Sequence, residues 1–162
     1  MKTRTLVRIA LLSAILVISK EIIAFLPNIE LVSFLLILFS INLRLKESLL
    51  ISVVFCLIEI VLYGTGPWSI GYLIIWPSLI IVTYLLRNKL NTEFKLAFYS
   101  MFFGFIFGFL FAIPYFIISL NLGLSFWLKG TVFDVVHGLG NFIIMLILYK
   151  PINSLISSRI VE

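Results

Sequence analysis

The chain has 162 residues, 62% hydrophobic and 12% charged, with a net charge of +5 and a mean hydropathy of +1.23. So much apolar surface cannot be hidden inside a water-soluble domain of this length, which excludes an ordinary soluble enzyme or binding module and makes the bilayer the solvent. The twelve Lys and Arg are spread over short segments rather than gathered into a patch, so the basic balance does not point to nucleic acid.

A spanning helix takes about 20 mostly apolar residues, which leaves room for roughly six or seven spans and no soluble domain. The expectation is one membrane domain over residues 1–162. The apolar runs lack the ten-residue alternation of a membrane barrel, and backbone polar groups must be satisfied within lipid, so the predicted class is all-α.

The first run, Thr5 to Leu26, follows the basic residues Lys2, Arg4 and Arg8. It carries no small-residue cleavage site, so it reads as a retained helix rather than a signal peptide. Within it, Ala10 and Ala14 are four residues apart and make a flat stripe on which another helix can pack. Lys20 and Glu21 lie toward its end and read most simply as side chains reaching headgroups. Asn28 and Glu30 form the connection to the second run, Ile29 to Leu43. The third, Ser48 to Tyr63, encloses Cys56, read as a small packing hydrophobe, and closes with Glu59 and Tyr63. Both runs are short for a perpendicular span.

Trp68 leads into the fourth run, Ser69 to Leu86, where Tyr72 and Trp76 continue a stripe of rings four residues apart. An interfacial aromatic belt would explain Trp68 and Trp127 equally well, but Trp76 lies two turns deep. The fifth run, Lys95 to Leu120, contains Gly104 and Gly108, a small-residue pair suited to packing within the chain. A predicted loop with Asn121, Trp127 and Lys129 precedes the sixth, Val132 to Tyr149. There Asp134, His137 and Asn141 stand at i, i+3 and i+7, on one helical face.

Ten of the twelve basic residues fall on one side of this arrangement; Lys20 and Lys129 are the exceptions. The positive-inside rule makes that side cytoplasmic, and six spans bring both termini to it. The remaining polar groups crowd the opposite side. Ionisable residues inside a span cost several kcal/mol unless they face a partner or a wet cavity, so Asn28, Glu30, Glu59, Tyr63, Trp68, Tyr72, Trp76, Lys129, Asp134, His137 and Asn141 are the candidate binding residues of an outward-facing pocket.

The helix-one stripe at Ala10 and Ala14, the segment Leu26-Pro27-Asn28-Ile29-Glu30-Leu31-Val32-Ser33, the Trp76-Pro77 step and the run from Asp134 to Asn141 together resemble the substrate-binding S component of an energy-coupling factor (ECF) vitamin transporter. The resemblance implies a bacterial plasma-membrane subunit that captures a water-soluble vitamin or precursor. It then associates with a transmembrane coupling subunit and two ATPases and reorients in the membrane. It further implies that Ala10 and Ala14 contact the coupling subunit and that the loop between helices one and two gates the site. No phosphate loop G-x-x-x-x-G-K-[ST] occurs in the sequence, so no cofactor is expected on this chain and ATP belongs to the partners. The loop and the Trp-Pro step are most similar to S components for cobalamin and its precursors, with thiamine, pyridoxine and pyrimidine-type precursors as alternatives.

Two other classes compete. A small intramembrane enzyme would use Glu59, Asp134 and His137, yet only the last two share a face and no HExxH is present. A stand-alone secondary transporter would be expected to show an internal repeat or paired helix breaks, which the sequence lacks.

Overall fold

The computed structural model describes residues 2–159, which form six helices joined by short connections. They are α1 (Thr3–Ile22), α2 (Val32–Asn42), α3 (Leu45–Tyr63), α4 (Pro67–Leu86), α5 (Glu93–Ile118) and α6 (Leu120–Arg159). Among the described residues three helical stretches, Pro67–Leu86, Glu93–Ile118 and Leu120–Ser158, are long and apolar enough to cross a membrane. That marks the chain as membrane-associated.

The helices alternate in direction. Arg8 meets Glu47, Ser13 meets the Ile51 carbonyl and Lys20 meets Glu59, so α1 and α3 run parallel in constant register. Thr83 with Tyr99, Trp76 with Phe107 and Tyr72 with Phe111 set α4 and α5 antiparallel. Asn42 with Asn153 and Glu30 with His137 align α2 with α6. One end of the bundle therefore gathers Lys2, Arg44, Lys46, Arg87, Lys89, Lys95 and Lys150. The other gathers Lys20, Glu59, Tyr63 and Trp68, and these are called below the basic and the aromatic ends.

Residues Val32 to Ser40 of α2 are all buried. A helix apolar on every side belongs in the middle of a bundle, and α2 packs against all five other helices. Its eleven residues rise only about 16 Å, half the hydrocarbon thickness, which a central position accommodates because its ends meet protein.

Helices α1 and α3 are long enough to span but carry charge: Arg4, Arg8, Lys20 and Glu21 on one, Lys46, Glu47 and Glu59 on the other. The charges answer each other. Arg8 donates to Glu47 at 2.6 Å, Arg44 also binds Glu47, and Lys20 pairs with Glu59, whose side chain is 1% exposed. Burying such carboxylates is tolerable only because each keeps its partner.

The last helix differs most from the sequence expectation. The segment with Asn121, Trp127 and Lys129, predicted as a loop, is helical, and α6 runs 40 residues from Leu120 to Arg159 with Pro151 inside it. Ring contacts extend the α5–α6 hairpin beyond the predicted spans: Tyr115 stacks on Phe126 at 4.2 Å and Phe109 meets Trp127 at 5.2 Å. At 1.5 Å per residue the helix is about 60 Å long, so part of it must project past any bilayer core.

In the middle of this hairpin the backbones nearly touch. A Cβ added to Gly104 would lie 2.6 Å from the Gly138 Cα. The glycine pair in α5 thus serves packing within the chain, as its spacing suggests.

Candidate functional site

The segment joining α1 to α2 closes over the aromatic end. Pro27 and Asn28 occupy the corners of a turn in which the Ile29 amide donates to the Leu26 carbonyl. Proline presets the first corner, and Asn28 adopts φ 56°, a left-handed conformation that asparagine tolerates better than most residues. Beyond the turn, both Glu30 carboxylate oxygens accept from the Ser33 amide, at 3.1 and 2.9 Å. A carboxylate there satisfies an orphan donor of the first α2 turn and complements the helix dipole.

Two adjoining cavities, each of about 230 Å³, lie at this end, and the segment lines one of them. One is lined by Lys20, Glu59, Tyr63, Trp68, Tyr72 and Phe111. The other is lined by residues that include Asn28, Glu30, Trp76, Phe107 and His137, with Lys20 and Tyr72 shared between the two. The walls are a continuous aromatic ladder. Trp68 meets Tyr72 at 5.4 Å, Tyr72 meets Trp76 at 5.5 Å, and Trp76 meets Phe107 at 5.4 Å, mostly edge to face. Phe107 also stacks on Phe111 and meets the His137 ring at 4.8 Å.

The polar groups are held from several elements. Lys20 of α1 pairs with Glu59 of α3, and its ammonium also sits 4.4 Å from the centroid of the Tyr63 ring. The Tyr63 hydroxyl donates to Glu21 at 2.7 Å. His137 Nε2 lies 3.0 Å from Glu30 Oε1, tying α6 to the closing segment. Because that carboxylate is an acceptor, the hydrogen-bond pattern places the imidazole proton on Nε2.

Eight of the eleven predicted binding residues line these cavities: Asn28, Glu30, Glu59, Tyr63, Trp68, Tyr72, Trp76 and His137. The other three line neither. Asp134 accepts from the Gly108 amide at 2.8 Å and Asn141 donates to the Ser100 carbonyl at 3.3 Å, so both serve the α5–α6 seam. Lys129 is exposed on the α6 extension.

Sequence reasoning passed over Lys20 as a headgroup contact, although it lines both cavities. It also passed over Phe107 and Phe111, which are hidden in an unbroken phenylalanine-rich run; the four-residue spacing from Phe103 was the available signal.

On α1, Ala10 and Ala14 lie on the exposed side, opposite buried Ile9, Leu12, Ser13 and Leu16. No other part of the described chain covers them, and Leu6, Leu11, Ile15 and Ile18 extend the same exposed apolar surface.

Comparison of the chain with protein-family models, with curated proteins and with solved structures finds no match in any of the three.

Proposed function

We propose that the chain is the substrate-capturing membrane subunit of a vitamin importer of the energy-coupling factor type. In this reading it is a six-span bundle in a bacterial plasma membrane, with both termini in the cytoplasm and the aromatic end outward. The observation that carries it is the pair of cavities at the end opposite the basic one, walled by rings and set with buried polar side chains. Such a site gives stacking area for affinity and a few polar atoms for orientation, the usual composition of a small-molecule pocket. Charge asymmetry supports the orientation, since the basic end belongs in the cytoplasm.

Cavities of this size favour a compact ring compound of the thiamine, pyridoxine or pyrimidine kind over a corrinoid. Binding needs no ATP on this chain; the coupling subunit and ATPases supply it in the transport cycle. The exposed Ala10 and Ala14 stripe supports a contact with the coupling subunit, because small residues on an uncovered helix face let a second helix approach closely.

Calorimetry of the purified chain against a panel of water-soluble vitamins tests the substrate claim. Submicromolar binding of one vitamin without ATP is expected, and failure of every vitamin to bind would remove it. Replacing Ala10 and Ala14 together by leucine is expected to leave that binding within about twofold, since both side chains are exposed. Uptake by cells carrying the partner subunits should drop at least tenfold. Loss of binding in the double variant would instead assign the stripe to folding.

A further inference from the structure

Three residues that line the cavities each carry a buried polar atom without a hydrogen-bond partner among the described residues: Glu59 Oε1, Trp76 Nε1 and His137 Nδ1. Each belongs to a residue more than nine-tenths buried, Glu59 at 1%, Trp76 at 2% and His137 at 2% exposure. Buried polar groups are rarely left unpaired, because desolvating one without a partner costs roughly 1–3 kcal/mol. These three atoms differ in kind from the others left unpaired in the α5–α6 seam, because their residues line the space where a ligand would sit.

Their chemistry is asymmetric. The indole Nε1–H can only donate. Glu59 Oε1 can only accept while the carboxylate is ionised, as its pairing with Lys20 through Oε2 requires. In its uncharged form, with the proton on Nε2 toward Glu30, His137 offers Nδ1 as a second acceptor. With His137 uncharged, the lining residues therefore carry two unpaired acceptors and one unpaired donor. Charge leans the same way: among the lining residues the carboxylates of Glu30 and Glu59 face a single ammonium, that of Lys20. The aromatic faces of Tyr72, Trp76 and Phe107 add an environment that attracts a cation.

We infer that the site selects an amino-substituted nitrogen heterocycle. Its N–H groups donate to Glu59 and His137, and a ring nitrogen accepts from Trp76. This rests on the proposed binding-subunit reading and narrows it to one class of ligand. The reverse hydrogen-bond pattern, an oxo-substituted ring, would place carbonyl oxygens against carboxylate and imidazole lone pairs.

The test uses the purified full-length protein and matched probes that differ in a ring amino or oxo substituent: cytosine against uracil, and adenine against hypoxanthine. Thiamine serves as an extended aminopyrimidine, and a general panel of water-soluble vitamins is run beside them. The amino member of at least one pair should bind tenfold or more tightly than its oxo counterpart, the discrimination expected when one buried hydrogen bond is made or lost. Trp76→Phe, which keeps an aromatic ring and removes the donor, should weaken the bound amino probe about tenfold while the protein still melts cooperatively, at a somewhat lower temperature. Glu59→Gln should erase the amino preference. Equal or tighter binding of the oxo members, or tightest binding by a vitamin without such N–H donors, would overturn the inference and leave the binding-subunit reading standing. Should no probe and no vitamin bind, that broader reading falls as well.

Discussion

Lys20→Met is expected to lower the stability of the protein by about 3 kcal/mol, because it strands the Glu59 carboxylate, 1% exposed, without its cation. Lys20 itself keeps 25% of its side chain exposed, so the opposite change, Glu59→Leu, should cost less: the freed ammonium can move toward polar surroundings on its flexible stem. The double variant Lys20→Met with Glu59→Leu should recover most of the loss, since a buried pair replaced by apolar groups of similar volume is often neutral. Thermal melting of the four proteins in one detergent gives the complete cycle. A double variant as unstable as Lys20→Met alone would show that packing, not charge, is responsible. Lys20 also lines both cavities, so the stable double variant separates fold from ligand capture: it should melt normally and bind poorly.

A comparable effect is expected where α5 and α6 cross. Gly104→Ala should cost about 2 kcal/mol, because the added carbon meets backbone rather than a side chain that can swing away. Gly104→Leu should prevent the hairpin from closing and abolish a cooperative melt. At Gly138 an added carbon would fall 2.2 Å from the Phe105 ring and 2.9 Å from the Met101 carbonyl, so the partner position should be equally intolerant. By contrast, Ala10→Leu on exposed α1 should change stability by less than about 0.5 kcal/mol. If the Gly104 and Ala10 substitutions proved equally harmless in thermal melting, the close crossing would be wrong.

Hydropathy made six helices legible, since each apolar run became one helix; the first five have ends shifted by a few residues, while α6 extends well beyond its run at both ends. Two features escaped it for physical reasons. The start of α6 is held helical by rings on α5, a tertiary contact that local polarity cannot report. The charge pairs between α1 and α3 escaped it too: Lys20 reads as a headgroup contact in the sequence, and only the parallel packing shows that Arg8 and Lys20 meet Glu47 and Glu59. At the site, the stripe of Asp134, His137 and Asn141 was correctly placed on one face, but that face is the seam with α5. Only His137, level with Phe107, also reaches the cavity. Spacing identifies a shared face without saying which neighbour that face meets.

The two cross-helix ion pairs share one sequence interval: Arg8 to Glu47 and Lys20 to Glu59 are each separated by 39 residues. During synthesis α1 therefore emerges with its cations well before either carboxylate exists. Lys20 has only Glu21 of its own helix as a partner at that stage, so α1 is expected to sit loosely at the membrane edge until α3 arrives. Helix α2, covered on every side in the finished bundle, has to be drawn in by the same event. A chain truncated after α2 should thus be extractable from membranes by alkali, and one truncated after α3 should not. The charge register beside the aromatic-end cavities is thus expected to set the order in which the helices take their places.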